Sequence, residues 1–100
     1  MADPQASDFE DWAAWFKCLA DPTRLQILHY LAGRTEPATV GDIVDALSLT
    51  QSNVSHHLKV LSTERFVLTE AHGVRTLVQA NPACMAALPE AAAAIMRVDG

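Results

Sequence analysis

Two adjacent histidines, His56 and His57, lie in the helix-like segment TQSNVSHHLKVL, residues 50–61. Paired histidines can bind a metal ion, contact another macromolecule or pack inside the protein. Neighbouring side chains of a helix point about 100° apart, and a helix presents residues three or four positions apart on the same side. The spacing therefore argues against one metal ion held by both histidines.

Helical periodicity divides this segment into an inward and an outward face. Val54, Leu58 and Leu61 recur at helical spacing and are expected to point into the core. At the border of that face, His57 is expected to pack with a satisfied hydrogen bond. The opposite face carries small polar and basic side chains, namely Ser52, Ser55, His56 and Lys59.

The outward face suits the major groove of DNA. Serine and lysine donate hydrogen bonds to phosphates and base edges, and short side chains let the backbone approach. With Gln51 at the start of the helix, the four outward residues are the DNA contacts predicted for this segment. An ordinary solvated helix face is the alternative, and for His56 plain exposure to solvent stands beside DNA contact.

A shorter helix is predicted just before this one. Thr39 to Asp42 has the pattern of a capping box, with aspartate in place of the usual glutamate or glutamine, and predicts a helix to about Leu47. A brief turn follows, and Thr50 caps the next helix, which ends near Ser62. A short helix, a turn of roughly three or four residues and a longer helix form a helix-turn-helix.

A two-stranded hairpin, or wing, is predicted after the helix-turn-helix. The apolar residues that indicate its strands are Phe66, Leu68, Val74, Leu77 and Val78, and His72-Gly73 is the expected turn. Arg75 beside the turn and His72 at the tip are candidates to reach a phosphate or a minor groove. The alternative is a solvated hairpin charge.

Three further helices complete the predicted fold. The first has an apolar face of Phe9, Trp12, Ala13, Phe16, Leu19 and Ala20. Trp15 and Cys18 lie off this face, which predicts a helix that packs on its own domain and on a second subunit.

The second helix is capped by Asp21 and begins at Pro22. Its apolar face is expected from Leu25, Ile27, Leu28 and Leu31, and Gly33 ends it. The last helix opens at Asn81-Pro82, and Pro89 is expected to kink or split it.

Length and composition predict one soluble, cytoplasmic domain covering residues 1–100. Half of the residues are apolar, the acidic N-terminus lacks the features of a secretory signal, and no apolar run approaches the length of a transmembrane helix. The net charge of −5 disfavours a nucleic-acid partner, but the acids concentrate in residues 1–50, with eight against three bases. Residues 51–80 carry two acids and three bases, so a local patch for a polyanion remains.

The segments LADPTRLQIL (19–28) and LTQSNVSHHLKVL (49–61), followed by a hairpin with His-Gly-Val-Arg, resemble the ArsR/SmtB family of winged-helix repressors. The resemblance spans roughly residues 16–81. It implies a mostly α winged helix-turn-helix with about five helices and a two-stranded wing. It also implies a homodimer whose interface is built from the terminal helices, residues 1–20 and 82–98. The operator-binding helix would be residues 50–62, and an inducer would relieve repression.

Most members of this family sense metal ions and some sense thiol-reactive species, but both common metal sites are altered here. Where arsenic and cadmium sensors carry Cys-x-Cys-Asp, this chain has Thr39-Val40-Gly41-Asp42. Where zinc and cobalt sensors carry Asp-x-His, it has Asn81-Pro82-Ala83, and no histidine follows His72. Arg65 also replaces the glycine that usually follows the recognition helix.

Cys18, His29 and Cys84 remain as candidate ligands. If the terminal helices meet, the two thiols can approach each other within or between subunits, where a soft metal or an oxidant would suit them. A histidine nitrogen would suit nickel or zinc as inducer. The alternative is that both cysteines are small buried apolar side chains and His29 is structural.

Three functions are compatible with these features of the sequence. A dimeric DNA-binding transcription regulator accounts for the helix-turn-helix, the wing and the polar outward face. A winged-helix protein-interaction module without DNA binding accounts for the acidic N-terminus and the net charge. A metal-dependent enzyme ranks last, because the sequence contains no set of serine, histidine and acid, or of metal ligands, at catalytic spacing.

Overall fold

The computed structural model describes residues 3–97, which form five helices and three strands. The helices are α1 (Ala6–Leu19), α2 (Pro22–Ala32), α3 (Val40–Leu47), α4 (Gln51–Thr63) and α5 (Pro82–Met96). The strands are β1 (Ala38–Thr39), β2 (Val67–His72) and β3 (Arg75–Ala80). This order confirms the predicted mostly α winged helix-turn-helix. Within the described range, no helix is both long and apolar enough to cross a membrane.

The helix starts follow the predicted capping residues. Asp21 accepts hydrogen bonds from the backbone nitrogens of Thr23 at 2.8 Å and Arg24 at 3.1 Å. Thr39 and Asp42 form the reciprocal capping box, with distances of 3.0 and 2.9 Å. These bonds satisfy N–H groups that the first turn of a helix leaves without partners. The backbone N–H donors of Arg24 and Thr39 also hold the pKa values of Asp21 and Asp42, respectively, below their ordinary range.

The sheet has three strands rather than the predicted two. The strand order is β1-β3-β2, all antiparallel, and Ala38 of β1 pairs with Val78 of β3. A strand of two residues is too short to produce an alternating pattern, so β1 could not be recognised from periodicity.

The turn of the hairpin also lies one residue later than predicted. His72 and Arg75 form the last pair of the ladder, so the loop is Gly73–Val74 rather than His72-Gly73. Gly73 has a φ of 63°, as the first central residue of a type II′ turn requires. Val74 is fully exposed at the tip.

One core lies between the helix-turn-helix, α2 and the inner face of the sheet. Its largest fully buried side chains are Phe66, Ile27, Ile43, Leu61, Val54, Val67 and Val78. The inward positions predicted for α4 are all buried. Leu25 was expected on the buried face of α2 but is 49% exposed, because Ile27, Leu28 and Leu31 already supply the contact of that helix with the core.

The terminal helices bury less of their apolar surface. On α1, the off-face residues Trp15 and Cys18 pack on the core, and the Trp15 ring meets Phe66 edge-on at 6.3 Å. Phe9 and Phe16 of the predicted face are exposed.

Among the described residues of α5, only Ala91 is buried, and Met85, Ile95 and Met96 are exposed. The helix is continuous through Pro89, so the predicted split is wrong. Proline removes only the hydrogen bond to the carbonyl four residues earlier, and the rest of the ladder maintains the helix. Residues 1–2 and 98 of the predicted terminal segments lie outside the described residues.

Candidate nucleic-acid interface

Two local features of the backbone determine where α4 begins. Ser48 ends α3 in the left-handed conformation, with a φ of 54°, and the backbone N–H of Leu49 donates to the carbonyl of Val44 at 3.2 Å. Thr50 then caps α4 by accepting a hydrogen bond from the backbone nitrogen of Asn53 at 3.1 Å. The two helices are therefore joined by a tight turn whose ends are both hydrogen-bonded, which fixes the start of α4.

The outward side of α4 contains all five contact residues predicted for it. Gln51, Ser52, Ser55, His56 and Lys59 are exposed. Across residues 3–97, none of their side chains takes part in a hydrogen bond or an ion pair. Exposed donors and acceptors of this kind are available to an external partner.

Asn53 is a further exposed polar residue of α4, and it lies outside the set of DNA contacts predicted for this helix. It lies between the two faces, where its exposure depends on how the neighbouring helices pack. Its amide carries both donor and acceptor groups, which allows bidentate contact with a base edge.

His57 differs from its neighbour His56. It is half-buried, and its Nδ1 lies 3.3 Å from Nη1 of Arg24 on α2. The two histidine rings are tilted by 59°, with centroids 5.4 Å apart. The predicted packing of His57 with a hydrogen-bond partner is therefore confirmed, and the partner is Arg24, 33 residues away in sequence.

The wing presents a basic side chain beside an apolar tip. Arg75 is exposed and, within the described part of the chain, has no carboxylate oxygen within 4.0 Å. Its charge still contributes to the lowered pKa of Asp42, as does that of Arg34, so the turn end of β3 lies near the start of α3. His72 is exposed with its Nε2 3.3 Å from Oε1 of Glu70.

The junction between α4 and the wing is held by α5. Arg65 has a φ of 61°, the left-handed conformation that a glycine would adopt without strain. Its carbonyl accepts hydrogen bonds from Nδ2 of Asn81 at 2.8 Å and from Sγ of Cys84 at 3.0 Å. The backbone N–H of Asn81 also donates to Phe66 at 3.0 Å. The side-chain oxygen of Asn81 accepts from the backbone nitrogen of Ala83 and so caps α5.

The three candidate ligands do not form one cluster within the described residues. Cys18 is buried and donates to the carbonyl of Val60 at 3.7 Å, whereas Cys84 contacts Arg65. His29 is exposed and lines a shallow groove between α2 and α3. Over residues 3–97, histidine, cysteine, aspartate and glutamate form no group of three that could hold a metal ion.

Burial also favours the protonated form of both thiols. Loss of solvation raises the pKa of Cys18 and of Cys84, and the charges of Arg24 and Arg65 oppose this only in part. Metal ions bind the thiolate rather than the thiol. Over the described residues, one protomer therefore contains no preformed group of three metal ligands.

The known proteins that resemble this chain are transcriptional regulators. Bacterial regulatory proteins of the arsR family match residues 21–68. The HTH-type transcriptional regulator Rv2034 of Mycobacterium tuberculosis is 41% identical over 75 residues, which are 75% of this chain and 67% of that protein. The arsenical resistance operon repressor of Bacillus subtilis is 38% identical over 58 residues, which are 58% of this chain and 54% of that protein. The chain thus spans about half the length of the second relative.

A solved structure extends the likeness to nearly the whole chain. The homodimeric winged helix-turn-helix DNA-binding domain of Mb0332 from Mycobacterium bovis superimposes with a TM-score of 0.74 at 25% identity. The superposition covers 97% of this chain and 88% of that one. The terminal helices, which the family match leaves out, therefore also have counterparts in a known fold.

Proposed function

Since the chain belongs to the arsR family of transcriptional regulators, which are not enzymes, we propose that it is a homodimeric, sequence-specific repressor that binds operator DNA in the cytoplasm. The observation that supports this most directly is the outward face of α4. Its five polar side chains are exposed and without partners in the described chain. The recognition helix of a helix-turn-helix presents such a face to the major groove.

The wing extends the proposed footprint. Arg75 has no carboxylate oxygen within 4.0 Å in the described range and reaches a phosphate or a narrow minor groove, while His72 lies beside it across the turn. Gln51, Ser52, Ser55, His56 and Lys59 supply the major-groove contacts, and Asn53 is added to them from the structure.

A dimer is proposed because the terminal helices expose large apolar side chains. Phe9 and Phe16 of α1 and Met96 of α5 lie on the surface of a single chain. Their burial against a second copy removes apolar surface from water. The matched domain of Mb0332 is described as homodimeric, which supports the same assembly for this chain. Two α4 helices related by a two-fold axis would read a roughly palindromic site.

DNA binding is tested with the double variant Ser55→Ala/Lys59→Ala and duplexes from the chain's own promoter region. We expect weaker binding at every salt concentration. Loss of one phosphate contact also lowers the slope of log affinity against log salt by about one per protomer. Arg34→Ala is the control, because it removes the same charge from an exposed position after α2, outside the helix-turn-helix, the wing and the terminal helices.

Unchanged affinity in the double variant would show that α4 does not present this face to DNA. If the unaltered chain retards no duplex even at low salt, a winged-helix protein-interaction module is the better interpretation. The acidic N-terminal half favours that second function.

The inducer is tested by titrating the protein–DNA complex with nickel, zinc and a thiol oxidant. A transition-metal inducer such as nickel or zinc remains a prediction of the sequence, with Cys18, His29 and Cys84 as candidate ligands. A fall in operator affinity that Cys84→Ser or His29→Ala abolishes would identify the ligand. If neither metals nor oxidant change the affinity, both kinds of inducer are excluded.

A further inference from the structure

The side chain of Arg24 joins three helices. Its Nε donates to the carbonyl of Cys18 in the last turn of α1 at 2.6 Å. Its Nη1 lies 3.3 Å from Nδ1 of His57 on α4 and 4.0 Å from the cap residue Asp21. Only 16% of the Arg24 side chain is exposed. One largely buried guanidinium thus connects the end of α1, the start of α2 and the middle of α4.

The chemistry of the contact fixes the state of His57. A guanidinium has only donors and stays charged, so Nδ1 of His57 must be the acceptor. A hydrogen bond between the two side chains therefore requires the neutral ring with its proton on Nε2. A protonated ring would place two donors against each other.

The contact adds a directional restraint that the core lacks. Val54, Leu58 and Leu61 bury the inward side of α4, but apolar packing has no preferred direction and allows small rotations about the helix axis. A hydrogen bond weakens steeply when its geometry changes. His57 is next to His56 and two residues from Ser55 and Lys59, so its position determines where these outward side chains point.

We propose that Arg24 and His57 are positioning residues of the DNA-reading helix. Their hydrogen bond sets the rotation of α4 relative to the corner between α1 and α2, and neither side chain contacts DNA. Because the same guanidinium holds the end of α1, the bond also ties the reading helix to a helix that we place in the dimer interface. This inference rests on the proposed function for its DNA readout.

The test compares two replacements of His57. In His57→Asn, the side-chain oxygen occupies the place of Nδ1 and accepts the bond from Arg24. In His57→Leu, the volume is kept and the acceptor is lost. We expect His57→Leu to weaken specific operator binding by about tenfold, as the loss of one charge-assisted hydrogen bond implies. Binding to non-specific DNA should change less than about twofold, because phosphate contacts tolerate small rotations. His57→Asn should restore most of the specific affinity.

Arg24→Met and the double variant Arg24→Met/His57→Leu complete a double-mutant cycle with operator affinity as the measured quantity. If the bond is the cause, the double variant loses no more operator affinity than the more affected single variant. Additive losses, equal losses in the asparagine and leucine variants, or unchanged operator affinity in His57→Leu would each overturn the proposal.

Nuclear magnetic resonance of the free protein gives a second readout that needs no DNA. The nitrogen resonances of His57 should report a neutral ring protonated at Nε2. His57→Leu should shift the backbone amides of Ser52, Ser55 and Lys59, whereas His57→Asn should leave them near their original positions. A ring protonated at Nδ1, or unmoved amides in His57→Leu, would contradict the proposal. Failure of the unaltered chain to bind DNA would refute the proposed function, while these resonances would still decide the positioning role.

Discussion

The helix-turn-helix and the terminal helices differ in how much of their apolar surface is buried within one protomer. In α3 and α4, the large apolar side chains are buried or half-buried, and the helix starts are closed by side-chain caps. In α1 and α5, five large apolar side chains are exposed, namely Phe9, Phe16, Met85, Ile95 and Met96. The helix-turn-helix therefore buries its apolar side chains within one chain, whereas the terminal helices expose apolar surface that a second copy would cover.

This difference separates two sources of stability. The helix-turn-helix depends on the core of its own chain, so substitutions there change the unfolding of each protomer. In the proposed dimer, the outer faces of the terminal helices depend on association, so substitutions there should weaken dimerisation and leave the protomer folded.

The largest effect is expected from Leu61→Ala in the core. Leu61 is fully buried, and removal of its side chain leaves a cavity that lowers the free energy of unfolding by about 2–5 kcal/mol. Leu25→Ala is the matched control, because Leu25 is the same residue type at 49% exposure. Chemical denaturation measures both. A loss in Leu25→Ala as large as that in Leu61→Ala would show that the exposed side of α2 is covered in solution.

The next effect is expected from Phe16→Glu on α1. A charge at an apolar interface is expected to weaken dimerisation by more than about tenfold, while the helical circular dichroism of the chain is kept. Val74→Glu is the control, since it places the same charge at the exposed tip of the wing. Analytical ultracentrifugation over a range of concentrations decides the result. Equal dimer affinity in both variants would remove Phe16 from the interface.

A smaller effect is expected from acid. The lowered pKa values of Asp21 and Asp42 mean that the folded state favours their charged forms. Their contribution to stability is complete above the ordinary carboxyl pKa and is lost as the pH falls through the lower folded-state pKa. Asp21 caps the start of α2 and Asp42 belongs to the capping box of α3. Acid should therefore destabilise the starts of these two helices.

Asp21→Asn isolates this acid response. Asparagine also caps a helix but does not titrate, so stability at neutral pH should be nearly kept and its fall in acid should be shallower. Thermal unfolding between neutral and acidic pH measures the slope. An unchanged acid response in the variant would mean that other carboxylates control it.

The smallest effect is expected from Arg65→Gly at the end of α4. Glycine adopts the positive φ without strain but gives a more flexible unfolded chain, so the two effects partly cancel. We expect a gain of up to about 1 kcal/mol in the free energy of unfolding. Arg65→Ala keeps the strain and should give no gain. Equal stabilities of the glycine and alanine variants would show that the strain is not significant.

The sequence predicted what depends on local chemistry. Caps at Asp21, Thr39, Thr50 and Asn81 and the inward positions of α4 follow from residue type and helical spacing, and all were confirmed. The exposure of Leu25, the strand β1 and the continuity of α5 through Pro89 depend on packing between distant segments. Composition and periodicity carry little information about such contacts.

In the candidate site, too, some features followed from local sequence and others depend on contacts between distant segments. The exposure of the outward residues of α4 followed from periodicity. The partner of His57 did not, because Arg24 lies 33 residues away and only the folded chain brings the two together. That Cys18, His29 and Cys84 form no group of three ligands in the described chain likewise became visible only in three dimensions.

The wing is a closed loop with a fixed base. Asn81 binds the carbonyl of Arg65, 16 residues earlier, so the whole hairpin lies between two points that are pinned together. Doubling the length of a flexible loop costs only about 0.6 kcal/mol. Residues inserted at Gly73–Val74 would therefore lengthen the reach of the wing while α4 and α5 keep their relative positions. Wing length is a property that related chains can vary independently of the reading helix.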